Sequence, residues 1–543
     1  MKKIIMITIL MFIAGMTIYV GCSQSQSARP QTAGGPVRLT VATTESLRVQ
    51  DIKNQSMTRL IEQGTNTNLD FVLFPDVDYT VRLNLMVMAG GRELPDIILA
   101  TPNDAMVYQW GREGAILPLK RYYDNPSLTP NIRDAITRAG YNFVPEITSP
   151  DGEIYGIARL SQTRSGELPW RFHYYKPWVD KLNLKVPTTP EEVRTFLRAI
   201  VTGDPNGNGR PDEIGMVGTL SRLNGVSGWD YWFRFLMNPF ELVGLQLLNV
   251  NNGVISVPYN TEGWRAGLKY IRSLFAEGLL PIENLTQDDN AVAALLNSDP
   301  IRVGSGHNTS MWPITSIDTR AEYIAASPLI GANGRQWGTL NPSIASIGFM
   351  ISANCQNPEA AFSVGDFMMK EEISITNRYG ERGSDWDYVS DVPDALTRFV
   401  GWFPSAPPRI ILYDDTARGG ISMLRGGWGS PGPGSLLITY DIIVGLLVPP
   451  KDLALYGQGM LISSNPDYRP TEFIRKLMYT ENENTIVSDI QATLDAYVLE
   501  MTAGFLAGNR DIDATWNAYI AELNRIGLAR YLSTVQTAYN RMR

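Results

Sequence analysis

Apolar and polar positions alternate over Pro36–Thr43 (PVRLTVAT), in a stretch rich in β-branched residues, which predicts a first strand. Gln50–Gly64 follows with helical spacing and stops at Gly64. Asn68–Phe74 predicts a second strand, Asp78–Ala89 a second helix ending at Gly90-Gly91, and Leu94–Ala100 a short, largely apolar third strand. Strand–helix–strand–helix–strand is the signature of an α/β lobe with parallel strands. Asp151–Ile157 predicts a turn and a strand, and a second α/β region begins at Tyr174–Lys181. Thr189–Ile200 predicts a helix with Thr189 as cap, Pro190 at its first position and Glu191 and Glu192 in its first turn. Trp264–Glu277 predicts a helix, Ile344–Ala353 a strand and Pro358–Lys370 a helix behind it. Arg418–Ser435 carries seven Gly and two Pro and predicts a long irregular loop. Glu483–Ala507 and Asp511–Arg543 predict closing helices, with Trp516, Tyr519, Leu523 and Ile526 at the spacing of a buried face.

Ahead of all this, Lys2 and Lys3 precede a charge-free apolar run from Ile4 to Val20, then Gly21-Cys22 and a Ser/Gln/Gly-rich stretch to Pro36. A positive start, an apolar core and a small residue before a cleavage point make a secretory signal over residues 1–21. Cys22 at that point resembles a bacterial lipobox, although Tyr19 stands where Leu is usual. The reading is an acylated Cys22 at the head of a flexible tether, residues 22–36. The alternative is an uncleaved anchor, for which the run is short. Either places the rest of the chain outside the cytoplasm and tied to a membrane.

The chain has 543 residues, enough for two or more domains. Its net charge of −8 argues against nucleic-acid binding. With Cys22 given to lipid, Cys355 stands alone, so no intrachain disulfide forms. Only two His are present, against 12 Trp and 24 Tyr, which leaves little supply for histidine-metal chemistry or His-based triads.

Several segments then combine: Leu94–Ile98, Asp151–Gly156, Tyr174–Glu192 (YYKPWVDKLNLKVPTTPEE), Asp204–Glu213, Asn357–Ala361 and the tail from Gly508 to Tyr539. In this order they resemble the large lipid-anchored solute-binding proteins of ABC importers, extracellular family 1, including its oligosaccharide binders. The resemblance implies an α/β, two-lobed periplasmic-binding-protein-like fold of type II, hinged between the lobes, with a helical C-terminal extension. It implies a first lobe from residues 37–165 and 329–400 and a second from 166–328. Residues 401–543 are expected to give a cleft-bordering Gly-rich loop and helices packing on the second lobe. Function is then capture of a saccharide by a monomer and delivery to ABC permease subunits, with no catalysis.

Asp204, Asn206, Asn208, Arg210 and Asp212 fall at positions 1, 3, 5, 7 and 9 of an EF-hand-type loop, with Gly209 at the bend. Calcium takes six to eight oxygens, which short Asp and Asn side chains supply; Arg210 would offer only its carbonyl. Position 12 is Gly215, so Glu213 is expected to provide the bidentate carboxylate in a structural calcium site. The plain alternative is a polar turn.

Sugar rings call for flat aromatic faces beside polar side chains, usually at a domain interface. The candidates are Trp229, Tyr231, Trp232, Trp312, Trp337, Glu381, Trp386 and Trp428. Trp386, between two Asp, and Trp428, in the Gly-rich loop, are favoured because their neighbours are too polar or too glycine-rich for a core. Trp170, Trp178, Trp264 and Trp516 are assigned to core. A polysaccharide lyase or glycosidase is the rival reading, since two facing carboxylates can be far apart in sequence. A peptide receptor of the same fold is another. The chain has no G-x-S-x-G, H-E-x-x-H, C-x-x-C or G-x-x-x-x-G-K.

Overall fold

The computed structural model describes residues 35–45, 49, 51–162, 167–220, 231–307, 314, 316–342, 344–392, 410–412, 428, 437–439, 442–444, 458–459 and 461–543. Cys22 and the signal and tether readings lie outside them. In chain order the strands are β1 Val37–Thr44, β2 Thr67–Phe74, β3 Ile97–Ile98, β4 Ile157–Gln162, β5 Phe172–Tyr175, β6 Asn249–Asn251 and β7 Val254–Ser256. They continue as β8 Ser305–His307, β9 Tyr323–Ala326, β10 Ala345–Ile351, β11 Trp386–Tyr388, β12 Ile410–Leu412, β13 Leu437–Thr439 and β14 Ile442–Val444.

The first lobe is built on a sheet of order β13-β4-β10-β3-β1-β2. β1 runs parallel to both β2 and β3, as the βαβ pattern requires, and β10 lies antiparallel between β3 and β4. Leu39, Val41, Ala42, Ile97 and Ile98 are buried, because helices cover both faces of these parallel strands. Asp96 ties β1 to the turn before β3, accepting from the Thr40 N–H and hydroxyl, each at 2.8 Å. The helix Pro358–Met368 closes one face, its Phe362 stacked on Tyr122 at 4.7 Å. Gly156, just before β4, has no room for a side chain: a Cβ there would meet Ile347 Cγ2 at 2.3 Å and the Phe349 carbonyl at 2.5 Å. β4 can therefore approach the bulge in β10.

The second lobe has a smaller sheet, β8-β5-β9, and a separate aromatic core around Phe172, Trp178, Trp232, Phe233 and Trp264. Its helix Pro190–Thr202 starts where Thr189 caps the Glu192 N–H at 3.2 Å. The tail joins this same core. A capping box of Thr480 and Glu483 opens the 27-residue helix Glu481–Ala507, and Gly508 in the left-handed region ends it. Trp516, Tyr519 and Leu523 are buried against the second lobe, and the Tyr519 hydroxyl donates to the Tyr259 carbonyl at 2.9 Å.

Two expectations are corrected here. Asp511–Arg543 is not one helix: Gly527, at φ 120°, breaks it into Ile512–Ile526 and Leu528–Met542, which fold back on Glu481–Ala507. The region after residue 400 also contributes strands. β13 adds to β4 at one edge of the first lobe's sheet, and β12 with β14 completes a small sheet on β11.

Candidate ligand-binding site

Three segments cross between the lobes, and they are bonded to one another. The first leads from β4 to β5, the second from β9 to β10, and the third from residue 458 to the tail helices. The Asn341 N–H donates to the Glu167 carbonyl at 2.8 Å, and the Gly338 N–H to the Tyr468 carbonyl at 2.9 Å. Arg469 pairs with Glu167, and the Tyr468 and Ser327 hydroxyls lie 3.0 Å apart. Short bonded crossings of this kind form a hinge, in which a few backbone angles absorb a rotation of whole lobes.

The third crossing is also clamped to the first lobe. Lys476 Nζ donates to Asp104 Oδ1 at 2.7 Å and to the Ala345 carbonyl at 3.0 Å. The Ala345 N–H donates to Glu146 Oε2 at 2.6 Å, while Arg475 sits 4.1 Å over the Tyr141 ring and 3.9 Å from Glu146 Oε1. Burial pushes the Glu146 carboxyl up, and the Ala345 N–H and the two cations oppose that push.

An aromatic shelf stands where the first crossing enters the second lobe. Trp170 and Tyr231 are both partly exposed, with ring centroids 6.1 Å apart. The fully buried Arg234 guanidinium lies 4.7 Å over Trp170 and is held by the Val243 and Gly244 carbonyls at 2.9 and 3.1 Å. Trp170, expected in the core, is thus partly exposed at the lobe junction. The signal that could have found it is the aromatic cluster at 229–232, which it meets across more than sixty residues of chain.

The other candidates separate. Trp232 is buried in the second lobe's core, its indole N–H on the Thr219 carbonyl at 2.9 Å. Trp337 is partly exposed beneath Arg335, whose guanidinium lies 4.5 Å from the ring. Glu381 is exposed. Trp229 and Trp312 lie outside the described residues. Trp386 and Trp428, favoured for the cleft, are both corrected to buried positions. Trp386 is 0% exposed, and its indole N–H donates to the Gly380 carbonyl at 3.0 Å. Trp428 is 6% exposed in the first lobe's core, donating to Thr58 Oγ1 at 2.8 Å and meeting Phe71 edge-on at 5.3 Å. Trp428 is placed by partners more than 350 residues away, and Trp386 by its own turn and strand.

The 204–213 loop folds on its own polar side chains. Asp204 takes a positive φ of 45°, and its Oδ2 accepts from the Gly209 N–H at 3.1 Å. Asn206 and Asn208 both donate side-chain N–H groups to Asp212 Oδ1, at 3.2 and 3.1 Å. These bonds, Asn208 first, hold the Asp212 carboxyl below its ordinary range. Two carboxylate oxygens, Asp204 Oδ1 and Glu213 Oε1, are buried without a hydrogen-bond partner. A buried carboxylate oxygen without a partner is costly, and each of the two keeps an open acceptor position. Among the described residues no three His, Cys, Asp or Glu side chains cluster tightly enough to form a metal group by themselves. The Asn206 and Asn208 amide oxygens and the Arg210 carbonyl are oxygen donors of the kind calcium accepts beside carboxylates.

Residues 51–374 match the family of bacterial extracellular solute-binding proteins. Over 515 residues the chain is 23% identical to the fructooligosaccharide ABC transporter substrate-binding protein FusA of Streptococcus pneumoniae, covering 91% of this chain and 88% of FusA. Its fold is similar to an extracellular solute-binding protein from Bifidobacterium longum subsp. infantis, with a TM-score of 0.74 at 20% identity over 94% of this chain and 99% of the other. It is also similar to an EF-hand mutant of FusA in complex with fructo-nystose, with a TM-score of 0.65 at 20% identity over 93% of this chain and 99% of that one. The two structural likenesses establish the two-lobed, periplasmic-binding-protein-like α/β fold. No helix among the described residues is long and apolar enough to cross a membrane.

Proposed function

The chain belongs to the bacterial extracellular solute-binding proteins, and from that premise we propose that it captures an oligosaccharide between its lobes and presents it to the permease of an ABC importer. The observation that carries this reading is the similarity to FusA along nearly the whole chain, through both lobes and the tail. The physics suits the task. A ligand that touches both lobes only when they close shifts the open–closed equilibrium by its differential affinity, and closure reports occupancy to a transporter.

Trp170 and Tyr231 are assigned to stack on the sugar, with Arg234 fixing the Trp170 ring; Trp229 and Trp312 are kept as ligand-contact candidates on their sequence alone. Trp170→Ala and Tyr231→Ala are each expected to weaken oligosaccharide binding by about 1–3 kcal/mol, the usual cost of a central aromatic contact. Calorimetry against a fructooligosaccharide, polygalacturonan-fragment and peptide panel measures it. Tight binding without turnover supports the reading. Bond cleavage that depends on one Asp/Glu pair would mean an enzyme, and peptide binding alone a peptide receptor.

Calcium is proposed as a structural ion held by Asp204, Asn206, Asn208, the Arg210 carbonyl, Asp212 and Glu213. When bound it supplies charge to offset the two unpaired buried oxygens and pins the loop behind the helix Pro190–Thr202. At a hundred times its dissociation constant it is expected to add about 2.7 kcal/mol of stability. EDTA should lower the melting temperature of the wild type and leave Asp204→Ala unmoved. A wild-type melting curve indifferent to EDTA and calcium makes the loop a turn.

The anchor is proposed to be lipid on Cys22, with two or more acyl chains, because one holds only marginally. Cys22→Ala is expected to move the protein from the membrane to the soluble fraction. Membrane association that survives the substitution points to an uncleaved apolar segment.

A further inference from the structure

A cavity of about 260 Å³ opens on the second lobe against the hinge. Its walls are the loop from Asn238 to Asn251, the second crossing from Asn333 to Leu340 and the third from Pro470 to Ile474. All of these residues come from the second lobe and the two crossings, and the first lobe's sheet and helices contribute none. Trp337 divides it from the narrow crevice beside Trp170.

Four side chains give this cavity its chemistry. Trp337 offers an indole ring. Arg335, stacked on that ring at 4.5 Å, is exposed and has no carboxylate partner among the described residues. Glu241 is half-buried; its Oε2 accepts from Thr261 Oγ1 at 2.9 Å, and no cation faces it among the described residues. Among the described residues Glu472 takes only the Gly253 N–H, at a long 3.4 Å. Two carboxylates therefore keep acceptor capacity, one guanidinium keeps donors, and an aromatic ring lines the same cavity. Adjacent hydroxyls donate to carboxylates, guanidinium N–H groups donate to hydroxyl and ring oxygens, and the apolar C–H face of a sugar covers an indole. The volume lies just under the roughly 300–1,000 Å³ of ordinary ligand pockets, room for a ring or two and not for a long chain. Two carboxylates against one guanidinium disfavour an anionic ring.

We propose that this hinge pocket is a second saccharide site, one that takes a single neutral sugar ring. It does not depend on what the cleft binds. Because two of its walls are crossing segments, a sugar held there touches the hinge itself and is positioned to bias lobe closure.

The test is fluorine NMR on full-length mature protein labelled with 5-fluorotryptophan, the Trp337 resonance being assigned by its loss in Trp337→Phe. Glucose and fructose are expected to move that resonance saturably, with a dissociation constant on the order of 1 mM, fitting a small polar ligand. Glu241→Gln and Arg335→Ala should each weaken the response about tenfold or more with unchanged melting curves. Glucuronate should bind at least tenfold more weakly than glucose. No saturable response to either hexose, a response untouched by both substitutions, or glucuronate binding as well as glucose would overturn the proposal. Adding kestose to the same sample reads the cleft through other tryptophans, so failure of the hinge pocket and failure of the oligosaccharide reading are told apart.

Discussion

Trp386→Ala is expected to cost about 3–5 kcal/mol of stability, the range for truncating a fully buried large aromatic. The residue begins β11, pairs with Leu412 across the small sheet and is 0% exposed. Its ring meets Tyr388 edge-on at 5.3 Å, and its indole N–H satisfies the Gly380 carbonyl. Around it the chain is tightly tied: the Gly383 N–H donates to the Trp386 carbonyl at 2.8 Å, and Arg382 bridges Asp387 at 3.2 Å and Asp391 at 2.7 Å. Alanine leaves a cavity, an unpaired buried carbonyl and a polar knot with nothing beneath it. Urea unfolding should show the loss, with oligosaccharide affinity in the folded fraction kept within a few-fold. An unchanged unfolding midpoint together with abolished binding would return Trp386 to the cleft.

That expectation reverses the one drawn from sequence, and the reason is physical. Asp385 and Asp387 made Trp386 look exposed, yet alternation along a strand puts neighbours on opposite faces, so a polar flank is compatible with a buried middle. Trp428 sits among glycines, and its partner Thr58 is 370 residues away, a pairing no local window contains. Where the fold was legible, the signal was local or periodic. β1 read correctly from its alternation and β-branched residues, and β3 from a short apolar run between helices. The helix at Thr189 read correctly because cap, Pro and acidic first turn fall in order. Gly527 was missed because the apolar periodicity continues on both sides of it. That β10 joins the first lobe came from resemblance, and its place between β3 and β4 was not foreseen, since nothing in its own residues names its neighbours. In the site, the 204–213 spacing was visible, and the shelf of Trp170 and Tyr231 was not, because it forms only where the first crossing meets the second lobe.

Asp495→Asn is expected to stabilise the protein by about 2 kcal/mol at pH 8 and by almost nothing at pH 4. Asp495 lies on the helix Glu481–Ala507, where burial pushes its carboxyl up to about 6. The groups that feel its charge are the buried hydroxyls of Tyr259 and Tyr531, and no cation pairs with it among the described residues. The unfolded chain ionises near the ordinary value of about 3.9. A carboxyl raised on folding favours the folded state fully only below that value, and the contribution is lost as pH rises through about 6. Ionising the carboxyl in this buried place instead of in water costs roughly 3 kcal/mol, reduced to about 2 because part of the group still meets water. Glu146 and Asp366, also raised by burial, bend the wild-type profile the same way, so the difference between wild type and variant isolates Asp495. Denaturant melts at pH 4, 6 and 8 measure it. The gap should open between pH 4 and about 6.5 and then stay constant. A gap of equal size at pH 4 and pH 8 would mean that Asn acts through packing, and a less stable variant at pH 8 would mean that the carboxylate is paired after all. Because this helix packs in the second lobe's core, the charge bears on the lobe that carries Trp170, Tyr231 and the 204–213 loop.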